Sequence, residues 1–246
     1  MRNVKEFISN LAESVFSHEA LNNNFYTAWM AGPLDLPRVE IFARNYLVRT
    51  NNTSTMVALS FLSTADVLAR VEIVKNLHSE FGYGNPAKAH IVLLEGFLTQ
   101  LLSRLAGRSY QLSELERLPI LPTTSQFVVE QRQLYTHSNE RMVLGTLLAQ
   151  EWLAYSMLTR LYEGARNYRH LFRTLDEFHE NCEYFYVHIG EAEKDHKEQA
   201  IVSANRVCRT DEELAELKNG FDKFLGITAA FWRGIHEEMS KVRTAA

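Results

Sequence analysis

The sequence predicts an all-α protein. Three observations carry that expectation: apolar residues recur at spacings of three and four, no segment alternates with period two over a useful length, and the last of the five prolines is Pro122. Proline lacks a backbone N–H and its ring clashes with the preceding helical turn, so a proline-free second half can run in long helices. The chain has 246 residues, enough to bury a sizeable core, with no internal repeat and no Gly- or Ser-rich linker. One helical domain over residues 1–246 is the economical reading.

The elements follow in order. A first amphipathic helix is expected over 3–17 and a second over 23–30, ended by Gly32-Pro33. The next spans 37–50 and starts on Pro37, a residue suited to the first helical position. Phe25, Tyr26, Trp29, Phe42 and Tyr46 fall at helical spacing across these two and read as core. A long helix over 54–81 is broken by Gly82 and Gly84, and Asn85 and Pro86 are a good N-cap and first residue for a helix over 86–106. Residues 107–125 form the longest connector. Helices over 124–137, 139–165, 171–207 (broken near 180) and 211–241 complete the chain.

Composition excludes several functions. The net charge of −4 leaves no basic excess for a nucleic-acid surface. No apolar run reaches the roughly 18–20 residues of a membrane span. The opening "MRNVKEFISNLAESVF" carries Glu6 and Glu13 and lacks the apolar core of a signal peptide. Two cysteines far apart, Cys182 and Cys208, do not make a disulfide framework, so a reducing cytoplasm is expected.

Three groups of residues are candidates for chemistry. In "HSEFGYGNPAKAH" (78–90), Glu80 ends one helix and His90 lies about one turn into the next, so the bend between them can aim both at one point; His78 competes for the same role. Glu151, in "LGTLLAQEWLAYSMLTRLY" (144–162), has Leu147, Leu148, Tyr155 and Leu158 as helical neighbours. An ionised carboxylate on an apolar face costs several kcal/mol unless it is paired or metal-bound. The third group is "HIGEAEKDH" (188–196). With His188 at 0° on a regular helix, Glu191 falls at about −60°, Asp195 at about −20°, His196 at about +80° and Glu193 at about +140°. A one-residue π-bulge, a feature frequent at functional sites, would return His196 to about −20°. Imidazoles and carboxylates from several bundle helices, with no cysteine pair, suit redox-active iron or manganese better than a closed zinc site.

With these residues in place, the chain resembles the haem-oxygenase-like di-iron oxidases and oxygenases. That superfamily includes the thiaminase-like and pyrroloquinoline-quinone-synthase-like proteins. Within it, the chain resembles the branch around the Chlamydia protein associated with death domains (CADD-like), and there a cyanobacterial group of unassigned function related to a nitrile-forming enzyme acting on a tryptophan derivative. The resemblance covers about residues 20–205 and rests on "EFGYGNPAKAH" with the following "IVLLEGFLTQLL", on Glu151 and on "FYVHIGEAEKDH".

It implies a haem-oxygenase-like helical bundle and a metal set of Glu80, His90, Glu151, His188 and His196, to which helical phase adds Glu191, with Glu193 and Asp195 as alternatives to Glu191. The family's last motif is His-x3-Asp-x2-His. Here the two histidines stand one residue further apart, and alanine occupies position 192 where the aspartate would stand counting from His188. The implied cofactor is Fe(II), two ions, with manganese as the alternative. The implied activity is O2-dependent oxidation of a small amino-acid-like amine or carboxylate, by N-oxygenation, C–C cleavage or nitrile formation, in a homodimer. A self-sacrificing CADD-like aminobenzoate synthase, consuming Tyr155, Tyr184 or Tyr186, and a non-enzymatic helical interaction protein are the other readings. Tyr155 is the candidate catalytic side chain, and Arg132, Arg141, Arg160 and Lys75 are candidates to bind a substrate carboxylate. A hydrolase with Cys182 as nucleophile is disfavoured, because Cys182 falls at about +120° from His188 and points away from the ligand face.

Overall fold

The computed structural model describes residues 3–189 and 191–243, and for residues 191–196 the backbone alone. Helix α1 (Val4–Glu13) passes into a 3₁₀ turn, and α2 (Asn24–Ala31) and α3 (Leu36–Thr50) follow. Each begins where a side chain satisfies an end N–H: Asn3, Asn23 and Asp35 accept from the amides of Glu6, Tyr26 and Arg38. The aromatics of α2 and α3 are core, as their spacing predicts; Phe25 stacks on Trp232 with ring centroids 4.6 Å apart. One continuous core runs from Ile8 to Met239.

The expected helix over 54–81 is two helices, α4 (Thr53–Leu62) and α5 (Val67–Glu80). The cause is Asp66, whose Oδ1 accepts from the amides of Leu68 (3.1 Å) and Ala69 (2.9 Å) and so starts a new helix. Helix α6 (His90–Ala106) begins on His90 itself, because residues 86–88 form a separate 3₁₀ turn. The connector contains the short α7 (Leu112–Glu116), closed by a reciprocal capping box between Gln111 and Glu114. After α8 (Pro122–Tyr135) and the long α9 (Glu140–Ala165), the span 171–207 resolves into α10 (Leu175–Asn181), α11 (Glu183–Ile189) and α12 (Glu191–Val207).

Helix α13 (Asp211–Lys241) lies along α9. The two backbones touch through paired glycines. A Cβ on Gly145 would stand 2.0 Å from the carbonyl oxygen of Leu217, and one on Gly220 would stand 2.1 Å from that of Met142. Helices α2, α11 and α12 pack on other faces of α9, which makes α9 the axis of the bundle. Among the described residues there is no strand, and no helix is long and apolar enough to cross a membrane.

Candidate metal centre

The corner between α5 and α6 is built by backbone geometry. Gly82, Tyr83 and Gly84 have φ of +62°, 55° and +87°, three left-handed residues in succession. Glycine adopts this region freely, whereas Tyr83 adopts it at a cost of about 1–2 kcal/mol. A Cβ on Gly82 would stand 2.5 Å from the carbonyl carbon of Lys88, so the two limbs of the loop are in contact. That contact sets the last residue of α5 against the first of α6: Glu80 Oε1 lies 3.5 Å from His90 Nδ1. Lys88 at the end of the loop holds Glu183 at 2.5 and 2.6 Å, and Glu183 opens α11, which carries His188. The rings of His90 and His188 stand 4.2 Å apart. One ligand atom each from Glu80, His90 and His188 lie within 4.8 Å of one another.

The donor set fits a cation. His188 Nδ1 is 2.7 Å from the carbonyl oxygen of Tyr184, to which it donates, so Nε2 keeps its lone pair. Nδ1 of His90 is buried with no hydrogen-bond partner among the described residues, a costly arrangement that a bound metal would relieve. Glu151 is only 6% exposed and lines the same cavity as the other three. Its Oε1 accepts from Asn76 Nδ2 (2.9 Å) and Gln150 Nε2 (3.3 Å), and Tyr135 donates to Gln150 in turn. These bonds orient the carboxylate. The side chains of Glu191, Glu193, Asp195 and His196 lie outside the described residues, as does Gly190, between α11 and α12. The competitor His78 is exposed and stands edge-on to Tyr83.

The cavity holds about 710 Å³ of space, part of it open to solvent. Tyr155 is not among the residues lining it. The lining positions on α9 are 150, 151, 153, 154, 157 and 158, a face centred near Ala154, with Glu151 on its edge. At 100° per residue Tyr155 falls about 100° or more from that centre, and it packs beneath Lys197, whose Nζ is 4.7 Å from the ring. Trp152 shares that environment, with Lys197 Nζ 5.5 Å from its ring.

The lining tyrosines are Tyr46 and Tyr184, whose hydroxyls are hydrogen-bonded at 2.8 Å; the Tyr184 ring is 4.8 Å from that of His188. Burial raises both phenols above their ordinary range and keeps them protonated at neutral pH. Cys182 is fully buried, does not line the cavity, and has its thiol pushed up to about 12 by desolvation, so it is no nucleophile.

None of the four cations expected to bind a carboxylate lines the cavity. Arg132 is exposed, Arg141 pairs with Glu213 and Glu216, Arg160 donates to Leu21 and Asn22, and Lys75 pairs with Glu72. Among the described residues, the cation that does line it is Arg49. A signal for it exists in the sequence: Arg49 follows the buried Phe42 and Tyr46 at seven and three residues, on their face of α3.

A helical bundle that converges imidazole and carboxylate from separate helices on one buried point defines a class of metal-site proteins. Residues 40–229 match the model of a family described as iron-containing redox enzymes, and the chain belongs to that family. A 4-chloro-allylglycine synthase of Streptantibioticus cattleyicolor is 23% identical over 237 residues, covering 95% of this chain and 84% of that protein. A CADD-like protein of unknown function from Nostoc punctiforme superposes with a TM-score of 0.72 at 15% identity, covering 95% of this chain and 96% of that one. A domain from Shewanella denitrificans described as having a haem-oxygenase-like fold gives 0.62 at 13% identity, covering 97% and 95%. The fold is haem-oxygenase-like.

Proposed function

We propose that this protein is a non-haem di-iron oxidase or oxygenase that uses dioxygen to oxidise a small amino-acid-like molecule. The observation that carries the reading is the convergence of Glu80, His90 and His188 within 4.8 Å in a cavity that Glu151 also lines. Glu80, His90, His188 and Glu151 would hold the iron, with His196 and one of Glu191, Glu193 and Asp195 completing the set. Bound iron supplies activation of dioxygen. The chain's own residues do the rest. The Gly82 corner fixes the spacing of Glu80 and His90. The carbonyl of Tyr184 fixes the tautomer of His188, and Asn76 and Gln150 hold Glu151. Leu153, Met157 and Leu158 give the cavity an apolar wall that limits water around the reacting centre.

The similarity to a synthase named for a chlorinated amino acid supports an amino-acid-like amine or carboxylate as substrate. The resemblance to the di-iron oxidases and oxygenases suggests N-oxygenation, C–C cleavage or nitrile formation as the outcome. The test is anaerobic loading with ferrous iron, metal analysis, and oxygen uptake on exposure to air. About two equivalents of iron per chain and rapid uptake are expected. Binding well below one equivalent sinks the reading and leaves a non-enzymatic helical protein in its place.

A second reading has one observation in its favour: Tyr184 touches the ring of His188 inside the cavity, where a self-consuming tyrosine would have to stand. Mass spectrometry after aerobic turnover separates the two, because an intact chain removes the self-consuming one.

A further inference from the structure

The cavity that holds the candidate metal ligands also contains a cation, Arg49, that forms no ion pair among the described residues. Arg49 is 7% exposed and lines the cavity from α3. Among the described residues no carboxylate lies within ion-pair distance of it, and its Nε–H is buried without an acceptor. Aromatic rings hold the guanidinium in place, with Phe127, Phe231 and Tyr46 centroids 5.0, 5.7 and 6.0 Å from its central carbon. Such contacts offset only part of the cost of burying a charge. The neighbouring phenols supply no counter-charge, since Tyr46 and Tyr184 stay protonated. One turn along α8 from Phe127, the side chain of Gln131 lines the same cavity, 2% exposed, and its Oε1 also lacks a partner among the described residues.

A buried guanidinium and a buried carbonyl acceptor lining one cavity are complementary to an anion that carries an N–H donor next to it. We infer that Arg49 and Gln131 form the subsite for the α-amino-carboxylate end of the substrate: Arg49 pairs with the carboxylate and the Gln131 oxygen accepts from the ammonium. Arg49 binds substrate without touching metal. The inference rests on the oxidase reading for its word substrate, but the subsite is a property of the cavity and is open to test without iron.

The experiment uses metal-free full-length protein and three six-carbon probes: norleucine, hexanoate and uncharged hexanamide. Ligand that binds only the folded state raises the unfolding midpoint, so affinity is read from the concentration dependence of the thermal midpoint. Norleucine is expected to bind most tightly, hexanoate at least about tenfold more weakly, and hexanamide not measurably, the step matching loss of a charged hydrogen bond. Gln131→Leu is expected to erase the advantage of norleucine over hexanoate.

Arg49→Gln is expected to abolish binding of both anions while its unliganded midpoint stays at or above that of the unaltered protein, because an uncompensated buried charge has gone. Should Arg49→Gln not fold, Arg49→Lys keeps the charge and is expected to weaken both anions about tenfold, since an ammonium cannot offer the paired N–H groups. Equal binding of hexanoate and hexanamide, or undiminished anion binding in the Arg49 variants, overturns the inference. Iron stoichiometry is measured separately on the unaltered protein. Loss of iron binding with retained norleucine binding sinks the oxidase reading and leaves the subsite standing; the reverse result does the opposite.

Discussion

The two polar regions of the cavity are built differently. At one, Glu80 and His90 sit at helix ends, and a short loop with three left-handed residues brings them together. At the other, Arg49 and Gln131 sit within helices α3 and α8, placed by packing of the aromatic faces around them. The first depends on backbone conformation at a few positions and fails sharply when one is changed. The second depends on many side-chain contacts and tolerates change more gradually. A metal needs ligand atoms at defined short separations, which a rigid corner provides; an organic anion needs only charge and a hydrogen-bond pattern in a pocket of the right shape.

Four predictions test that contrast, from the largest effect down. His90→Ala removes a converging nitrogen and is expected to lower iron affinity by more than about 100-fold, beyond the loss a supporting residue causes. Iron retention measured by metal analysis after dialysis checks it, and unchanged retention would remove His90 from the site.

Gly82→Ala puts a Cβ 2.5 Å from the backbone of Lys88 at a φ of +62° and is expected to cost about 3 kcal/mol or more in denaturant unfolding. A cost under about 1 kcal/mol would mean that the corner is not rigid.

Asn76→Leu deletes the 2.9 Å hydrogen bond to Glu151 and is expected to weaken iron about tenfold with little change in fold stability. An unaffected iron affinity would separate Glu151 from the metal.

The smallest effect is at the far end of α5. Asp66 caps that helix and pairs with Arg206, and these partners hold its carboxyl below the usual range. A depressed folded-state pKa gives stability that is full above the unfolded value of about 3.9 and is lost as pH falls through the lower folded value. Asp66→Asn keeps a capping side chain but not the charge. It should therefore lose about 0.5 kcal/mol at pH 7 and show a shallower decline in stability below pH 4 than the unaltered protein. Urea unfolding at pH 7 and pH 3 checks the sign, and equal slopes in the two proteins would refute it.

Much of the fold is legible in the residues alone. Spacing of apolar side chains fixes the helices, and Pro37, Gly82 and Asn85 mark ends that the structure also shows. What local pattern misses is competition between signals. Asp66 interrupts an unbroken apolar periodicity because its carboxylate takes two amides at once, and Gln111 and Glu114 make a helix of a stretch that reads as connector. Within the site, local pattern makes Glu80, His90, Glu151 and His188 candidates, as residues at a helix break or on an apolar face, and the family resemblance joins them into one ligand set. Tyr155 is a candidate for a local reason too, its position one turn from Glu151, and local phase does not reveal that Glu151 sits at the edge of the lining face rather than its centre.

The sequence by itself therefore determines the all-α class, most helix spans and the kinds of donor available, because each depends on periodicity and on side-chain chemistry within a few turns. Only the tertiary structure decides which donors meet. The approach of His188 to Glu80 and His90, the place of Arg49 in the cavity and the position of Tyr155 outside its lining all depend on how helices far apart in the chain are rotated against one another. That rotation is set by the summed packing of the core, to which no single segment holds the key.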